Sequence, residues 1–234
     1  MSFNVYIGWD SREDIAYQVA RHSIKRRSHT VNTNVIPLKL FELKDQGIYT
    51  RSTDKLGSTE FTFSRFLVPY LNNYKGWAMF ADSDILCMTD IAKILEHKDD
   101  KYAVMCVQHD YTPKEGTKMD GKQQVQYPRK NWSSVVLWNC SHPSNAVVTP
   151  ELVNTESGMY MHRFMWLKDE EIGSLPYDWN FLTDWYQEGD PKILHYTEGG
   201  PWFPEYTNCE YSEVWKEEVK HLFDIDQFRW PLKT

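Results

Sequence analysis

Strand-like and helix-like spacings of apolar residues alternate along the first half of the chain. FNVYIGWD (Phe3–Asp10) is a short β-rich run that ends in polar residues. In SREDIAYQVARHSIKRR (Ser11–Arg27), Ala16, Ala20 and Ile24 share one helical face with Ile15 and Val19 beside it, which predicts a helix. Ser11 and Asp14 have the spacing of an N-terminal capping pair, with Asp in place of the usual Glu. TNVIPLKL (Thr33–Leu40) predicts a second strand. TEFTFSRFLVPYL (Thr59–Leu71) predicts a helix in which Phe63, Phe66 and Leu67 are apolar neighbours and Pro69 lies near the end. GWAMFA (Gly76–Ala81) predicts a third strand, and Asp90 reads as the cap of a short helix, Ile91–Glu96. YAVMCVQ (Tyr102–Gln108) and SSVVLWN (Ser133–Asn139) are two further strands. The polar loop between them, His109–Asn131, is long enough to suggest a functional lid.

The last third is aromatic and irregular. It holds YMHRFMWLKDEEIGSLPYDWNFL, a short strand KILHY, then TEGGPWFPEY and a charged helix near Ser212–Phe223. No repeat, low-complexity tract or linker interrupts the 234 residues, so a single domain, 1–234, is expected. The alternation of strand and helix predicts an α/β fold with a mixed, mainly parallel sheet flanked by helices.

Composition narrows the function. Aromatic residues make up 15% (10 Trp, 14 Tyr, 11 Phe), which suits either a core of large rings or a cleft that stacks on flat apolar faces. A net charge of −7 leaves no global basic field to recruit nucleic acid. Lys25-Arg26-Arg27 closes the first predicted helix, where cations suit the helix dipole. The four cysteines form no CxxC pair, which argues against a zinc site or a disulfide framework. No apolar run reaches membrane-spanning length, and MSFNVYIGWD has no basic region followed by a long apolar stretch. The expectation is a reduced, cytoplasmic setting with no integral membrane segment.

One stretch asks for chemistry. WAMFADSDIL places Asp82 and Asp84 where a predicted central strand gives way to its loop. Residues two apart on a strand share a face, and ligands of open α/β sheets bind outside the carboxyl ends of the strands. Two converging carboxylates invite a hard divalent cation, Mn²⁺ or Mg²⁺, with positions left open for phosphate oxygens. His195, at the end of KILHY, is a candidate third ligand, and the following Gly199 and Gly200 let backbone approach a phosphate. Arg65 precedes the strand that carries Asp82, so it is placed either to hold that aspartate or to meet a ligand oxygen. The opening strand, turn and helix suit a nucleotide site, although Gly8 stands alone and no GxGxxG follows it.

The ordered set VYIGWD, FSRFLVPYL, MFADSDIL, SSVVLWN, LPYDWNFL and ILHYTEGGPW resembles the metal-dependent sugar-nucleotide glycosyltransferases of the GT-A (Rossmann-like) fold. The similarity is to glycosyltransferase family 8 and its small viral and bacterial relatives, over about Phe3 to Tyr206. The resemblance implies a nucleoside-diphosphate sugar donor, a UDP-sugar, a glycan or other hydroxyl acceptor, and Mn²⁺ held by Asp82, Asp84 and His195. It implies donor contacts at Gly8, Trp9, Asp10, Arg12, Arg65, Ser83, Ser133, Ser134, Asn139, Gly199 and Gly200. It also places Asp178, Trp179 and Asn180 near the active site, with Asp178 and Arg65 as candidate catalytic residues. Aromatic neighbours could raise the Asp178 pKa toward a base's range, or Asp178 could simply hydrogen-bond backbone or sugar.

Two departures stand out. Where that family commonly has a phosphate-binding lysine before Pro-Trp, this chain has Gly200, and the loop is one residue shorter. Lys130, with Arg129, Arg12 and the Gly199–Gly200 backbone, is then expected to meet the phosphate charge. The aspartate–glutamine–aspartate motif before LPYDWN is also missing, which leaves retention or inversion open. Two other functions remain. A sugar-nucleotide nucleotidyltransferase would share the carboxylates, but GWDSRED is too acidic for its triphosphate loop. A non-catalytic carbohydrate-binding module would explain the aromatics but leave Asp82, Asp84 and His195 unused.

Overall fold

The computed structural model describes residues 2–52, 59–110, 129 and 131–224. The elements in order are β1 (Ser2–Gly8), α1 (Asp14–Arg27), β2 (Asn32–Leu38), α2 (Leu40–Asp45), α3 (Val68–Leu71), β3 (Trp77–Ala81), β4 (Ile85–Cys87) and β5 (Val104–Cys106). They continue with β6 (Val135–Asn139), α4 (Pro150–Thr155), α5 (Gly158–His162), β7 (Ile172–Ser174), β8 (Phe181–Leu182), β9 (Ile193–His195) and α6 (Ser212–Phe223). None of the described helices is long and apolar enough to cross a membrane.

Six strands form the main sheet in the order β2-β1-β3-β6-β5-β7. Strand β6 is antiparallel to both neighbours, while β2-β1-β3 and β5-β7 pair in parallel, so the sheet is mixed and mainly parallel as expected. Pro37 falls in β2, at the sheet edge, where a missing N–H removes no interior ladder bond. Alternation then sorts the core. Ala78 and Phe80 of β3 join Tyr6, Trp138 and Phe66 on one face, and Met79 and Ala81 join Ile7, Leu137 and the α1 residues Ala20 and Ile24 on the other. A small second sheet, β4-β9-β8, sits beyond the end of β3. In it Ile85 of β4 lies opposite His195 of β9.

Three local expectations change. The segment 59–71 is not one helix: a 3-10 turn at Ser64–Leu67 leads into α3, which starts at Val68. Pro69 has no N–H and fits only the first turn of a helix, so the α-helix begins beside it. Ahead of α1, Asp10 caps a 3-10 turn at Ser11–Glu13, its side chain accepting from Arg12 N at 3.0 Å, while Ser11 Oγ donates to Glu60 and α1 itself starts after Glu13 with no side-chain cap bond. The basic cluster does more than suit a dipole. Arg26 and Arg27 reach the buried carboxylate of Glu218 on α6, each at 2.8 Å, with His22 Nδ1 at 2.7 Å.

Candidate active site

Asp82 follows β3 directly. Its N–H donates to Ser134 O at 2.9 Å, which carries the β3–β6 pairing one residue past the strand. Alternation puts Asp82 on the Phe80 face, and there Arg65 lies over the Phe80 and Phe61 rings with Nη1 2.8 Å from Asp82 Oδ1. The chain then turns through Ser83, which is buried, into Asp84 at the mouth of the second sheet. Asp84 O accepts from Tyr196 N at 3.0 Å, and His195 Nε2 lies 3.2 Å from Asp84 Oδ1. Among the described residues, Asp82, Asp84 and His195 form a group whose ligand atoms all lie within 4.8 Å of one another.

This donor set fits a divalent cation. Oδ1 of Asp82 and Oδ1 of Asp84 are buried from water and outside any well-aligned hydrogen bond, held only by the ion pairs to Arg65 and His195. Burial drives the Asp82 carboxyl up to about 6 despite Arg65, and the Asp84 charge adds to the rise. Burial also pushes Asp84 up, but the neighbouring His195 more than offsets this and holds it below the usual carboxylate range. His195 in turn, disfavoured as a cation by burial, is raised by Asp84. Two close carboxylates in a dry site want positive charge, and two oxygens with one imidazole nitrogen suit Mn²⁺ or Mg²⁺.

A second layer of contacts stands behind each ligand. Arg65 Nη1 also donates to Ser133 O at 3.1 Å, and Ser133 Oγ lies 2.7 Å from Nδ1 of His162. On the other side, His195 Nδ1 lies 2.7 Å from Asn180 Oδ1. Asn180 Nδ2 contacts His109 Nε2 and Ser134 Oγ, both at 2.9 Å, and His109 Nδ1 lies 2.9 Å from Tyr186 OH. Burial pushes both His109 and His162 down to about 3, so each ring is neutral.

The three ligand candidates line a cleft of about 280 Å³. Arg12 and Glu13 line it from the 3-10 turn before α1, Arg65 from the turn at Ser64–Leu67, and Thr197–Gly199 and Trp202 from the late loop. Trp202 Nε1 donates to Glu13 Oε2 at 3.1 Å and so ties that loop to the first turn. Burial and the Asp84 charge raise the Glu13 carboxyl to about 7. Gly200 sits under the Trp202 indole: a Cβ there would lie 1.9 Å from a ring carbon, so the space a side chain would need is already filled.

The structure gathers Arg12, Arg65, Asp82, Asp84, His195 and Gly199 around one cleft, with Ser133 and Ser134 directly behind it. Others lie elsewhere. The antiparallel run of β6 carries Asn139 to a position opposite Trp77, at the far end of β3 from Asp82, so it does not reach the cleft. Asp178 sits on a 3-10 turn, Tyr177–Asn180, with Oδ1 buried close to Gly189 and its carbonyl accepting from Lys192 N, outside the cleft lining. Asp10 is fully buried and spends its carboxylate on Arg12 and on Glu60 N. Gly8 is covered by the Phe61 ring, and Trp9 Nε1 donates to Asp14. Arg129 binds Asp169 and the Arg163 carbonyl rather than the cleft. Lys130 and most of the expected lid lie outside the described residues.

Glu13, His109, His162 and Tyr186 were not singled out from the sequence. Only His109 carries a usable signal, since it ends an apolar strand run as His195 does.

No family model matches the chain. Over 224 residues it is 53% identical to Protein CDI of Arabidopsis thaliana, covering 93% of this chain and 86% of that protein. The apo form of the glycosyltransferase GlyE of Streptococcus pneumoniae superposes with a TM-score of 0.61 at 18% identity, over 92% of this chain. The chain spans 59% of the length of GlyE. The galactosyltransferase LgtC, solved with donor and acceptor sugar analogs, superposes with a TM-score of 0.52 at 11% identity, over 97% of this chain and 98% of its own. Mouse xyloside xylosyltransferase 1 gives 0.55 at 12% identity, over 85% and 99%. The fold is therefore the GT-A fold of these glycosyltransferases.

Proposed function

The chain belongs to the family of Protein CDI, and from that footing we propose that it is a divalent-cation-dependent glycosyltransferase. It moves a sugar from a nucleoside-diphosphate sugar, a UDP-sugar, to a hydroxyl of a glycan or similar acceptor. The observation that carries this reading is the convergence of Asp82, Asp84 and His195 at a strand end, inside a cleft, in a fold shared with proteins that transfer galactose and xylose. In the reaction the anomeric C–O bond breaks and the diphosphate leaves with the electron pair. The acceptor oxygen bonds the anomeric carbon and gives up its proton.

A cation bound by Asp82, Asp84 and His195, Mn²⁺ or Mg²⁺, would supply Lewis acidity to the departing diphosphate. The chain's own residues do the rest. Arg65 orients Asp82 and brings its guanidinium to the cleft, and Arg12 adds a second cation at the nucleotide end. The Gly199 backbone offers close approach for phosphate oxygens. Glu13 and Trp202 join the two walls between which the donor lies.

The test is a panel of sugar nucleotides incubated with the protein and Mn²⁺, scored for diphosphate released by slow hydrolysis. Cation-dependent UDP release from one or a few UDP-sugars is expected. Absence of turnover across the panel, together with no UDP–Mn²⁺ binding by calorimetry, would overturn the proposal.

A further inference from the structure

Behind His195 runs a chain of hydrogen bonds whose direction is set by one backbone carbonyl. Ser134 Oγ donates to Asn131 O at 2.6 Å. A carbonyl only accepts, so the single hydroxyl proton of Ser134 is committed to it. Asn180 Nδ2 lies 2.9 Å from the same Oγ, which has only lone pairs left to offer. The nitrogen of the Asn180 amide must therefore face Ser134. Its second proton points at His109 Nε2, 2.9 Å away, and His109 keeps its own proton on Nδ1, toward Tyr186 OH.

With the amide nitrogen so placed, Asn180 Oδ1 faces His195 Nδ1 at 2.7 Å. An oxygen that can only accept requires the proton on Nδ1. A neutral imidazole has one N–H, so Nε2 is left with a bare lone pair. That nitrogen is the one 3.2 Å from Asp84 Oδ1, in the Asp82–Asp84–His195 group. Ser134, Asn180, His195 and His109 are all at most 6% exposed, so their partners are buried protein groups rather than bulk water.

We infer that Asn180 is a positioning residue, oriented by Ser134 and His109, which holds His195 in the Nδ1–H tautomer and presents Nε2 as a ligand for a divalent cation. The inference rests on the cation-binding reading of the site. Without the Asn180 oxygen, the nearest acceptor left to the imidazole is Asp84. The proton then moves to Nε2, donates to Asp84, and blocks both groups at once.

The experiment uses the whole protein with ¹⁵N-labelled histidine. Long-range proton–nitrogen correlation across a pH titration of metal-free samples shows directly whether the ring carries one proton or two and, once it carries one, which nitrogen of His195 holds it. Calorimetry with Mn²⁺ alone reads the affinity. Wild type should show Nδ1–H. Asn180→Leu, close in volume but with no acceptor, should move the proton to Nε2 and weaken Mn²⁺ binding about 10–100-fold. Asn180→Asp keeps the acceptor, so His195 should stay Nδ1–H with Mn²⁺ affinity within a few-fold, while the proton of His109 shifts from Nδ1 to Nε2. Should Asn180→Leu fail to fold, Ser134→Ala releases the amide to flip and should give a mixture of His195 tautomers. An Nε2–H wild type, or a folded Asn180→Leu with undiminished Mn²⁺ affinity, overturns the positioning role alone. A wild type that binds no Mn²⁺ overturns the cation reading and this inference with it.

Discussion

Glu13 carries a carboxyl that its surroundings hold protonated to an unusually high pH, and this has a measurable consequence. Its pKa rises from 4.5 to about 7, chiefly through burial and then the Asp84 charge. Between those values the unfolded chain has released the proton and the folded chain retains it. Stability therefore falls as pH rises through that window. Glu13→Gln removes the titration and leaves an amide oxygen to accept from Trp202. In metal-free protein the variant should match wild type near pH 4 and exceed it at pH 8 by about 1–2 kcal/mol, after allowing for partial exposure. Thermal melts across pH measure this, and equal pH profiles for the two proteins would refute it. At the candidate ligand residues the expectation concerns binding. Asp84→Ala and His195→Ala should each abolish Mn²⁺-dependent UDP binding by calorimetry while circular dichroism reports a folded protein. Retained UDP–Mn²⁺ affinity in both variants would remove them from the site.

Helices α1 and α6 are joined by a buried charge cluster as well as by apolar packing. Val19 packs with Trp215 and Val219, and beside them Glu218 receives Arg26, Arg27 and His22. Burial alone would raise the Glu218 carboxyl, but the two arginines hold it down at about 2. A depressed acid stabilises above its unfolded value and loses that contribution as pH falls from near 4.5 toward 2. Glu218→Gln should cost about 2 kcal/mol at pH 7, since it strands two guanidinium groups that water only partly reaches. It should also flatten the loss of stability on acidification, and denaturant unfolding at pH 7 and pH 3 reads both effects. An unchanged midpoint at pH 7 would make the cluster an ordinary surface network. Strand direction has a comparable consequence at the cleft. Because β6 runs antiparallel to β3, Ser133 and Ser134 arrive beside Asp82 while Asn139 leaves for the opposite end.

A cleft between the first turn and the late loop, lined by a candidate cation site, predicts linked binding for the whole molecule. UDP with Mn²⁺ should raise the melting temperature by several degrees at a hundredfold excess over Kd, which corresponds to about 2.7 kcal/mol. Either alone should do much less, and free monosaccharides nothing; stabilisation by a sugar without a cation would favour a carbohydrate-binding module. Much of this architecture was legible in the chain. The unbroken apolar run of β3, ended by Asp82 and Asp84, announced a buried strand with charge at its end, and a charged helix was expected near Ser212–Phe223, where α6 lies. Arg65 was expected either to hold Asp82 or to meet a ligand oxygen, and it pairs with Asp82 from a 3-10 turn that leads into α3 rather than from one long helix. Such features follow from near neighbours in sequence, because propensity, alternation and proline geometry act over a few residues. The roles of His109 and His162 depend on partners 71 and 29 residues away. Asn139, taken from the resemblance as a donor contact, sits at the opposite end of β6 from Asp82, since SSVVLWN reads the same whichever way the strand runs. Direction, register and the identity of distant partners are set when long-range strand pairing and burial close the chain on itself, and no local pattern encodes them.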